Sequence, residues 1–285
     1  MAPPLFILGA AGSLNSLVCA MIGQHPEMYG LPEVNLFAGE TYQELLQEYG
    51  FLGRFQHGLW RAVAQLRLGA QTERTVQIAR SWLENHSLVD TAELFQAILD
   101  WTAPRTPVDG SRQYAIHASA LPRAQRAFPK ARYLHLLRHP CSALTALHNF
   151  YTNRFFDVEE VWLHPHVMVI EFLETVPPAQ HVQLRVEDLL RQPDLYLKQI
   201  AEWLDIQAEN HMIEAMKHPE LSSFADYGPL NARFGGDPFF LKNPTFYAIR
   251  DSLILEKNQP MMDSRIELTA ETRYYAQFFG YEIID

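Results

Sequence analysis

Several groups of residues have the types and spacing for chemistry. The first is Gly9-Ala10-Ala11-Gly12-Ser13-Leu14-Asn15-Ser16, which follows an apolar run, Leu5–Leu8, and leads into the apolar helical pattern Leu14, Leu17, Val18, Met21 and Ile22. A strand, a turn and a helix start leave free backbone N–H groups at the positive end of a helix dipole, which attracts an anion. Ser13, Asn15 and Ser16 add hydroxyl and amide groups. Against the phosphate-binding template G-x-x-x-x-G-K-[ST], Gly9 and Ser16 fall in register, while Leu14 stands at the second glycine and Asn15 at the lysine. The same residues also suit a tight turn in which Ser13 or Asn15 caps the helix.

Arg138 directly follows the apolar run Tyr133–Leu137 and precedes His139-Pro140. A guanidinium there can grip a phosphate bidentately or pair with one of the chain's 33 acidic residues. Glu33, in Leu31-Pro32-Glu33, becomes a general base if it is desolvated and is otherwise a solvated loop residue. His117, in Ile116-His117-Ala118, is a second candidate base or a hydrogen-bonded structural histidine. Gly235-Gly236-Asp237-Pro238, flanked by Arg233 and Lys242, reads as a loop end able to fold over a ligand or as an exposed turn. His164-Pro165-His166 lacks a third ligand at zinc spacing and is discounted as a metal site.

These residues need elements to position them. Strand character marks Leu5–Leu8, Gln113–His117, Arg132–Leu137 and His181–Val186, and helical pattern follows each at 15–23, Leu121–Phe128, Ser142–Tyr151 and Asp194–Leu204. Strands alternating with helices predict an α/β fold with a P-loop-like, doubly wound parallel sheet flanked by helices. Ligands of such sheets bind at the carboxyl ends of the strands, where the candidate residues fall. Between the first βα unit and the second strand lies a helical insertion, about 42–101, with helices expected at Tyr42–Tyr49, Leu52–Leu68, Glu73–Glu84 and Thr91–Trp101. The segments His25–Glu33 and Thr102–Gly110 read as turns and breaks, and Asp226–Pro244 as a long surface loop opening a C-terminal part, about 226–285. The expectation is a single domain over 1–285.

The chain has 285 residues, 48% of them hydrophobic, enough for a substantial core. Its formal net charge of -10 argues against the basic footprint of nucleic-acid binding, but a small anion needs only local donors. Two cysteines, Cys19 and Cys141, make no disulfide framework and suit a reducing cytoplasm. No Lys or Arg precedes Arg54, so the first apolar run reads as a core strand rather than a secretion signal, and no run is long enough for a membrane span.

In order along the chain, these pieces resemble the sulfotransferases that use 3′-phosphoadenosine 5′-phosphosulfate (PAPS), in their bacterial, tyrosylprotein-like and polyketide-associated branch. Gly9–Ser16 is similar to that family's G-x-x-[RK]-S-G-T-[TS] loop, followed by His25-Pro26, Pro32-Glu33 and Leu36-Phe37. Phe128-Pro129-Lys130-Ala131-Arg132 through Arg138-His139-Pro140 resembles its Phe-Pro-x-Ala-[KR] strand running into Arg-[DH]-Pro. Arg185-Val186-Glu187-Asp188-Leu189 with Pro193, and Gly236-Asp237-Pro238-Phe239, resemble two later motifs.

The resemblance implies sulfuryl transfer from PAPS as co-substrate to an acceptor hydroxyl, without a metal. It implies that Gly9, Gly12, Ser13, Leu14, Asn15 and Ser16 surround the 5′-phosphosulfate and that Arg138, with Thr145 nearby, holds the 3′-phosphate. Glu33 would take the acceptor's proton, with His117 as a second candidate. The late loop with Arg233 and Gly236 would cover the nucleotide. The departures fall on the chemistry: the loop cation stands at Gly12, the loop glycine and first threonine at Leu14 and Asn15, and the serine beside the 3′-phosphate at Ala146. A lysine before the second helix has Arg112, Gln113 and His117 as nearest candidates. The alternative reading is a protein of this fold that has lost PAPS chemistry and serves as a binding module. A P-loop phosphotransferase is disfavoured, since the loop has no lysine and the strand Tyr133–Leu137 ends in Arg138 rather than a magnesium-binding aspartate. Phe51, Phe55, Trp60, Trp82 and Phe95 either wall an acceptor pocket or form the insertion's own core.

Overall fold

The computed structural model of the chain describes residues 3–49, 53–151, 156–246 and 267–283. Five strands, β1 (Leu5–Leu8), β2 (Met28–Gly30), β3 (Thr106–Asp109), β4 (Arg132–Leu137) and β5 (His181–Arg185), form one parallel sheet in the order β2-β3-β1-β4-β5. The helices in chain order are α1 (Asn15–Gly23), α2 (Tyr42–Tyr49), α3 (His57–Leu68), α4 (Glu73–Asn85), α5 (Thr91–Thr102), α6 (Ala120–Ala127) and α7 (Pro140–Phe150). They continue with α8 (His164–Leu173), α9 (Val186–Arg191), α10 (Pro193–Trp203), α11 (Asn210–Ala215), α12 (Pro238–Lys242) and α13 (Ala270–Phe278). Among the described residues no helix is long and apolar enough to cross a membrane.

Side-chain alternation on the central strand splits the core into two layers. Leu5 and Ile7 pack with Val18, Met21 and Ile22 of α1 and with α9 and α10, whereas Phe6 and Leu8 face the insertion. On that second face Phe6 stacks on Tyr133 at 5.7 Å and meets Phe37 and Tyr114 edge-on at 5.8 and 5.9 Å. Trp60 and Phe95 are buried there, and the Trp60 indole N–H donates to the Tyr42 hydroxyl at 2.8 Å, so both belong to the insertion's own core. Phe55 lies half-buried against Tyr49, Trp82 packs on Trp101, and Phe51 and Leu52 lie outside the described residues.

Two expectations are corrected. Gln113–His117 is no strand: Arg112–Ala115 is a 3-10 turn, and the strand that precedes it is β3, inside the stretch read as a break. Pro107 argues against a central strand because it cannot donate to the ladder. Here the register spares it: Thr106 N–H donates to the Glu27 carbonyl and Val108 C=O accepts from Leu31 N–H, on either side of β2, and pairing with β1 starts only at Val108, opposite Leu5. The turn-rich stretch His25–Glu33 likewise contains β2. The late loop carries α12, a short helix capped by Asp237, whose carboxylate accepts from Phe239 N–H at 2.8 Å. Residues 247–266 of the C-terminal part lie outside the described set.

Candidate functional site

Connections from β1 run toward β2, and those from β4 run toward β5. The crevice therefore opens at the carboxyl ends of β1 and β4, the place where open α/β sheets bind ligands. Gly9–Ser16 fills it. Gly12 adopts φ +81°, and a Cβ there would lie 2.9 Å from the Ala143 carbonyl oxygen of α7. Leu14 is left-handed too, at φ 66° and ψ 28°, a conformation that costs a non-glycine residue roughly 1–2 kcal/mol. Asn15 closes the turn from inside, its Nδ2 donating to the Gly9 carbonyl at 3.2 Å. The Ser13 hydroxyl is buried with no hydrogen-bond partner. A buried hydroxyl is rarely left so, and an anion at the α1 N-terminus would satisfy it. No acidic side chain occupies the first turn of α1. Ser16 Oγ accepts from Asp237 N–H at 2.8 Å, which leaves its proton free to donate.

The walls of the cleft are residues 10–16, Glu33, Arg112 and Asp237. Glu33 follows β2, Arg112 follows β3, and Arg112 Nε lies 3.5 Å from Glu33 Oε2. Burial holds the Glu33 carboxyl above the ordinary glutamate range, the Arg112 guanidinium opposes that rise, and Asp237 adds to it. Arg112 is pushed upward, first by Glu33 and against its own burial. Burial also lifts Asp237, against its bond from Phe239 N–H and the two arginines Arg112 and Arg138. The cleft thus holds a desolvated carboxylate suited to accept a proton beside a cation suited to an anion.

A buried network sets the spacing of that pair. Asp109, at the end of β3, accepts from Ser111 N–H at 3.0 Å, from the Ser111 hydroxyl at 2.5 Å and from the Tyr114 hydroxyl at 2.8 Å. Ser111 Oγ in turn accepts from Asn35 N–H at 2.9 Å, and Asn35 is left-handed at φ 54°. One serine therefore links the turn that carries Arg112 to the turn that carries Glu33. Burial raises the Asp109 carboxyl to about 7, opposed by the Ser111 and Tyr114 bonds and assisted by Glu33.

Arg138 borders the cleft from β4, its Nη1 donating to the Gly12 carbonyl at 2.6 Å. Its own carbonyl accepts from the Trp162 indole at 2.8 Å. Burial lowers its pKa, and Glu187, Asp237 and Tyr281 oppose the drop. Glu187 fastens the next residue: its carboxylate takes His139 N–H at 2.8 Å and the Tyr281 hydroxyl at 3.0 Å.

Of the expected site residues, Gly12, Ser13, Leu14, Asn15, Ser16 and Glu33 meet in the cleft, with Gly9 at the loop's base and Arg138 at its rim. Gly236 packs beside them, its Cα side facing Ser16 Oγ. Three stand apart. His117 closes no strand; the Tyr49 hydroxyl on α2 hydrogen-bonds its Nε2, and burial lowers its pKa. Thr145 is half-buried within α7 and lines no part of the cleft. Arg233 is exposed with its guanidinium 4.8 Å from the Tyr227 ring centre. His166, discounted for zinc, is in the core, where its Nδ1 meets His135 Nε2 at 2.9 Å. Asp237 belongs to the loop expected to fold over a ligand, but sequence alone marks neither it as a wall of the cleft nor Asp109 and Ser111 as part of the site. The Asp-Gly-Ser run after an apolar pair could have marked Asp109 and Ser111, as an end of a strand that Pro107 disguises.

A family model described as "Sulfotransferase family" matches residues 3–210, so the chain belongs to the sulfotransferase family. The structure is similar to the sulfotransferase domain from the curacin biosynthetic pathway, with a TM-score of 0.80 at 22% identity over 100% of this chain and 99% of that one. It is likewise similar to the sulfotransferase domain of the Synechococcus PCC 7002 olefin synthase, at 0.78 and 24% over 100% and 98%. At those identities the likeness establishes the fold. Among curated protein sequences none matches the chain.

Proposed function

We propose that this chain transfers a sulfuryl group from PAPS to an acceptor hydroxyl, with Arg112 supplying the positive charge that the loop lacks. The observation that carries this reading is the position of Arg112: it reaches the Gly9–Ser16 cleft from the end of β3 and stands 3.5 Å from Glu33. When bound, PAPS supplies the sulfuryl group, which passes to the acceptor oxygen as the phosphate leaves.

The protein's own groups divide the remaining work. The first N–H groups of α1 and the hydroxyls of Ser13 and Ser16 donate to the phosphosulfate. Arg112 places its guanidinium where negative charge grows. A cation at position 12 would need φ +81° and would strike the Ala143 carbonyl. Glu33, kept basic by burial, accepts the proton of the acceptor hydroxyl. Arg138 serves the 3′-phosphate from the rim of the cleft. The segment 235–237 roofs the site through the Asp237 N–H to Ser16 bond and the Glu33 N–H to Gly235 carbonyl bond, at 2.8 Å each.

Calorimetric titration with 3′-phosphoadenosine 5′-phosphate tests the donor site. The expected result is one-site binding in the micromolar range. No heat at millimolar nucleotide, in a folded sample, overturns it. Binding without sulfuryl transfer to any hydroxyl acceptor would favour the binding-module alternative.

A further inference from the structure

Arg61, on α3, is 2% exposed, and among the described residues no carboxylate stands within ion-pair distance of it, although the Asp226 charge acts from farther off and opposes the drop that burial causes in its pKa. A buried guanidinium without a counter-ion is costly unless its donors are taken up. Here they are: Nη1 donates to the Phe234 carbonyl at 3.1 Å, Nη2 to the Asp226 carbonyl at 2.9 Å and Nε to Gln71 Oε1 at 2.7 Å. Gln71 is fixed in turn by Gln65 Oε1 and the Ser223 carbonyl. One side chain thus staples both legs of the segment 226–234, whose tip, Leu230, is exposed.

The segment then runs on as Gly235-Gly236-Asp237, the roof of the cleft. Gly235, at φ +120°, crosses α3 so closely that a Cβ would lie 2.7 Å from Gly58 Cα. His57, one residue earlier, stacks its ring parallel to Phe234 at 5.8 Å and accepts from Phe234 N–H. The cleft below is half open, with about 10 Å³ of interior space, room for about a single water, so a phosphosulfate seated fully within it displaces one of its walls. The loop and the ends of β2 and β3 are built into the sheet. The roof is held to the cleft by the Ser16 and Glu33 bonds, and at its far end by Arg61.

We propose that Arg61 is a positioning residue for the donor site: it anchors 226–234 so that 235–237 swings from a fixed point and returns over bound nucleotide. This rests on the donor reading above. Two carbonyls and the Gln71 side chain take up the Arg61 donors at contact distance, with the Asp226 charge beyond them.

The test uses the full chain, with amide hydrogen exchange and stopped-flow release of 3′-phosphoadenosine 5′-phosphate. In Arg61→Ala, exchange in peptides covering 224–237 should speed at least about tenfold while the sheet stays protected, and nucleotide release should speed about tenfold. Guanidinium ion at low millimolar concentration should restore both, and Arg61→Lys should stay loose because one ammonium cannot span both carbonyls. Unchanged exchange overturns the anchor, and raised exchange with unchanged release overturns its link to the donor. If Arg61→Ala loosens the whole chain, Gln71→Ala probes the same staple from the other side, since Gln71 Oε1 holds Arg61 Nε at 2.7 Å. That variant should loosen the same peptides, and its failure to do so counts against the anchor. A wild-type chain that binds no nucleotide sinks the donor reading alone, because exchange of the free protein still decides the anchor.

Discussion

Two arginines reach the same loop from opposite halves of the sheet, and they are held differently. Arg138, from β4, donates to an uncharged partner, the Gly12 carbonyl, and its backbone is pinned by Trp162 and, through His139, by Glu187. Arg112, from β3, sits on a 3-10 turn against a carboxylate that is itself a wall of the cleft. A guanidinium bound to a carbonyl keeps its full charge for a ligand. One paired with Glu33 shares its charge until that carboxylate takes a proton. On the donor reading proposed above, the β4 arginine would serve standing affinity and the β3 arginine a charge that changes as the reaction proceeds.

The largest effect follows from removing the second. Arg112→Ala should lower kcat by about 10³-fold with a smaller change in nucleotide affinity, the scale for losing a charge aimed at the developing anion. Rapid-quench turnover and calorimetry on the same sample check it, and a loss confined to affinity would make the two arginines alike. The double variant Gly12→Arg with Arg112→Ala should stay inactive, because position 12 holds a left-handed backbone against the Ala143 carbonyl. Recovery of turnover would refute the account of why the cation moved.

Arg138→Ala should weaken nucleotide binding by roughly 2–4 kcal/mol, the range for truncating one partner of a buried charged contact. Calorimetry reads it directly. A fall in kcat with affinity intact would reverse the roles assigned to the two halves.

Glu33→Gln should lower turnover about 10²-fold and leave nucleotide affinity nearly unchanged, since a neutral amide keeps the shape and loses the base. The wild-type rate should rise with pH through a limb above the ordinary glutamate range, because burial raises the carboxyl more than Arg112 lowers it. That limb should be absent from the Gln variant. An identical limb in both proteins would assign it elsewhere.

The halves differ in legibility as well. On the β4 side, Tyr133 through Leu137 is a largely apolar strand pattern, interrupted only by His135 and bounded by Pro129 and Pro140, so strand and arginine could be read together. On the β3 side Pro107 hides a strand, because whether a missing N–H matters depends on a register that no local pattern states. In sequence the turn after it has the residues of a strand, which places His117 at the ligand edge and leaves Arg112 one of three nearest candidates for the missing cation, beside Gln113 and His117. The loop Gly9–Ser16 was legible as an anion site by order alone. The left-handed Leu14 was not, since leucine disfavours that conformation and only the surrounding packing imposes it. Asp237 as a wall, and Arg61 as the staple behind it, arise where α3 crosses the late segment at Gly58 and Gly235, a contact between residues far apart in the chain.

The smallest predicted effect on turnover probes the network that spaces Glu33 and Arg112. The Asp109 carboxyl is raised from 3.8 to about 7 in the folded chain. Between those values the folded state holds more protons than the unfolded one. Its contribution is therefore complete below the lower value, falls as pH rises and is gone above about 7, by up to about 1.4 kcal/mol per pH unit. Asp109→Asn removes that titration while its amide oxygen still accepts from Ser111 and its N–H can meet the Tyr114 oxygen. Glu33 contributes with the same sign in both proteins, so the difference between them reads Asp109 together with its coupling to Glu33. Denaturant unfolding across that pH range should show wild-type stability declining relative to the variant as pH rises, with turnover in the variant reduced only as far as the Glu33 and Arg112 spacing loosens. Parallel stability curves would mean that Asp109 is already ionised well below 7, its bonds from Ser111 and Tyr114 outweighing its burial.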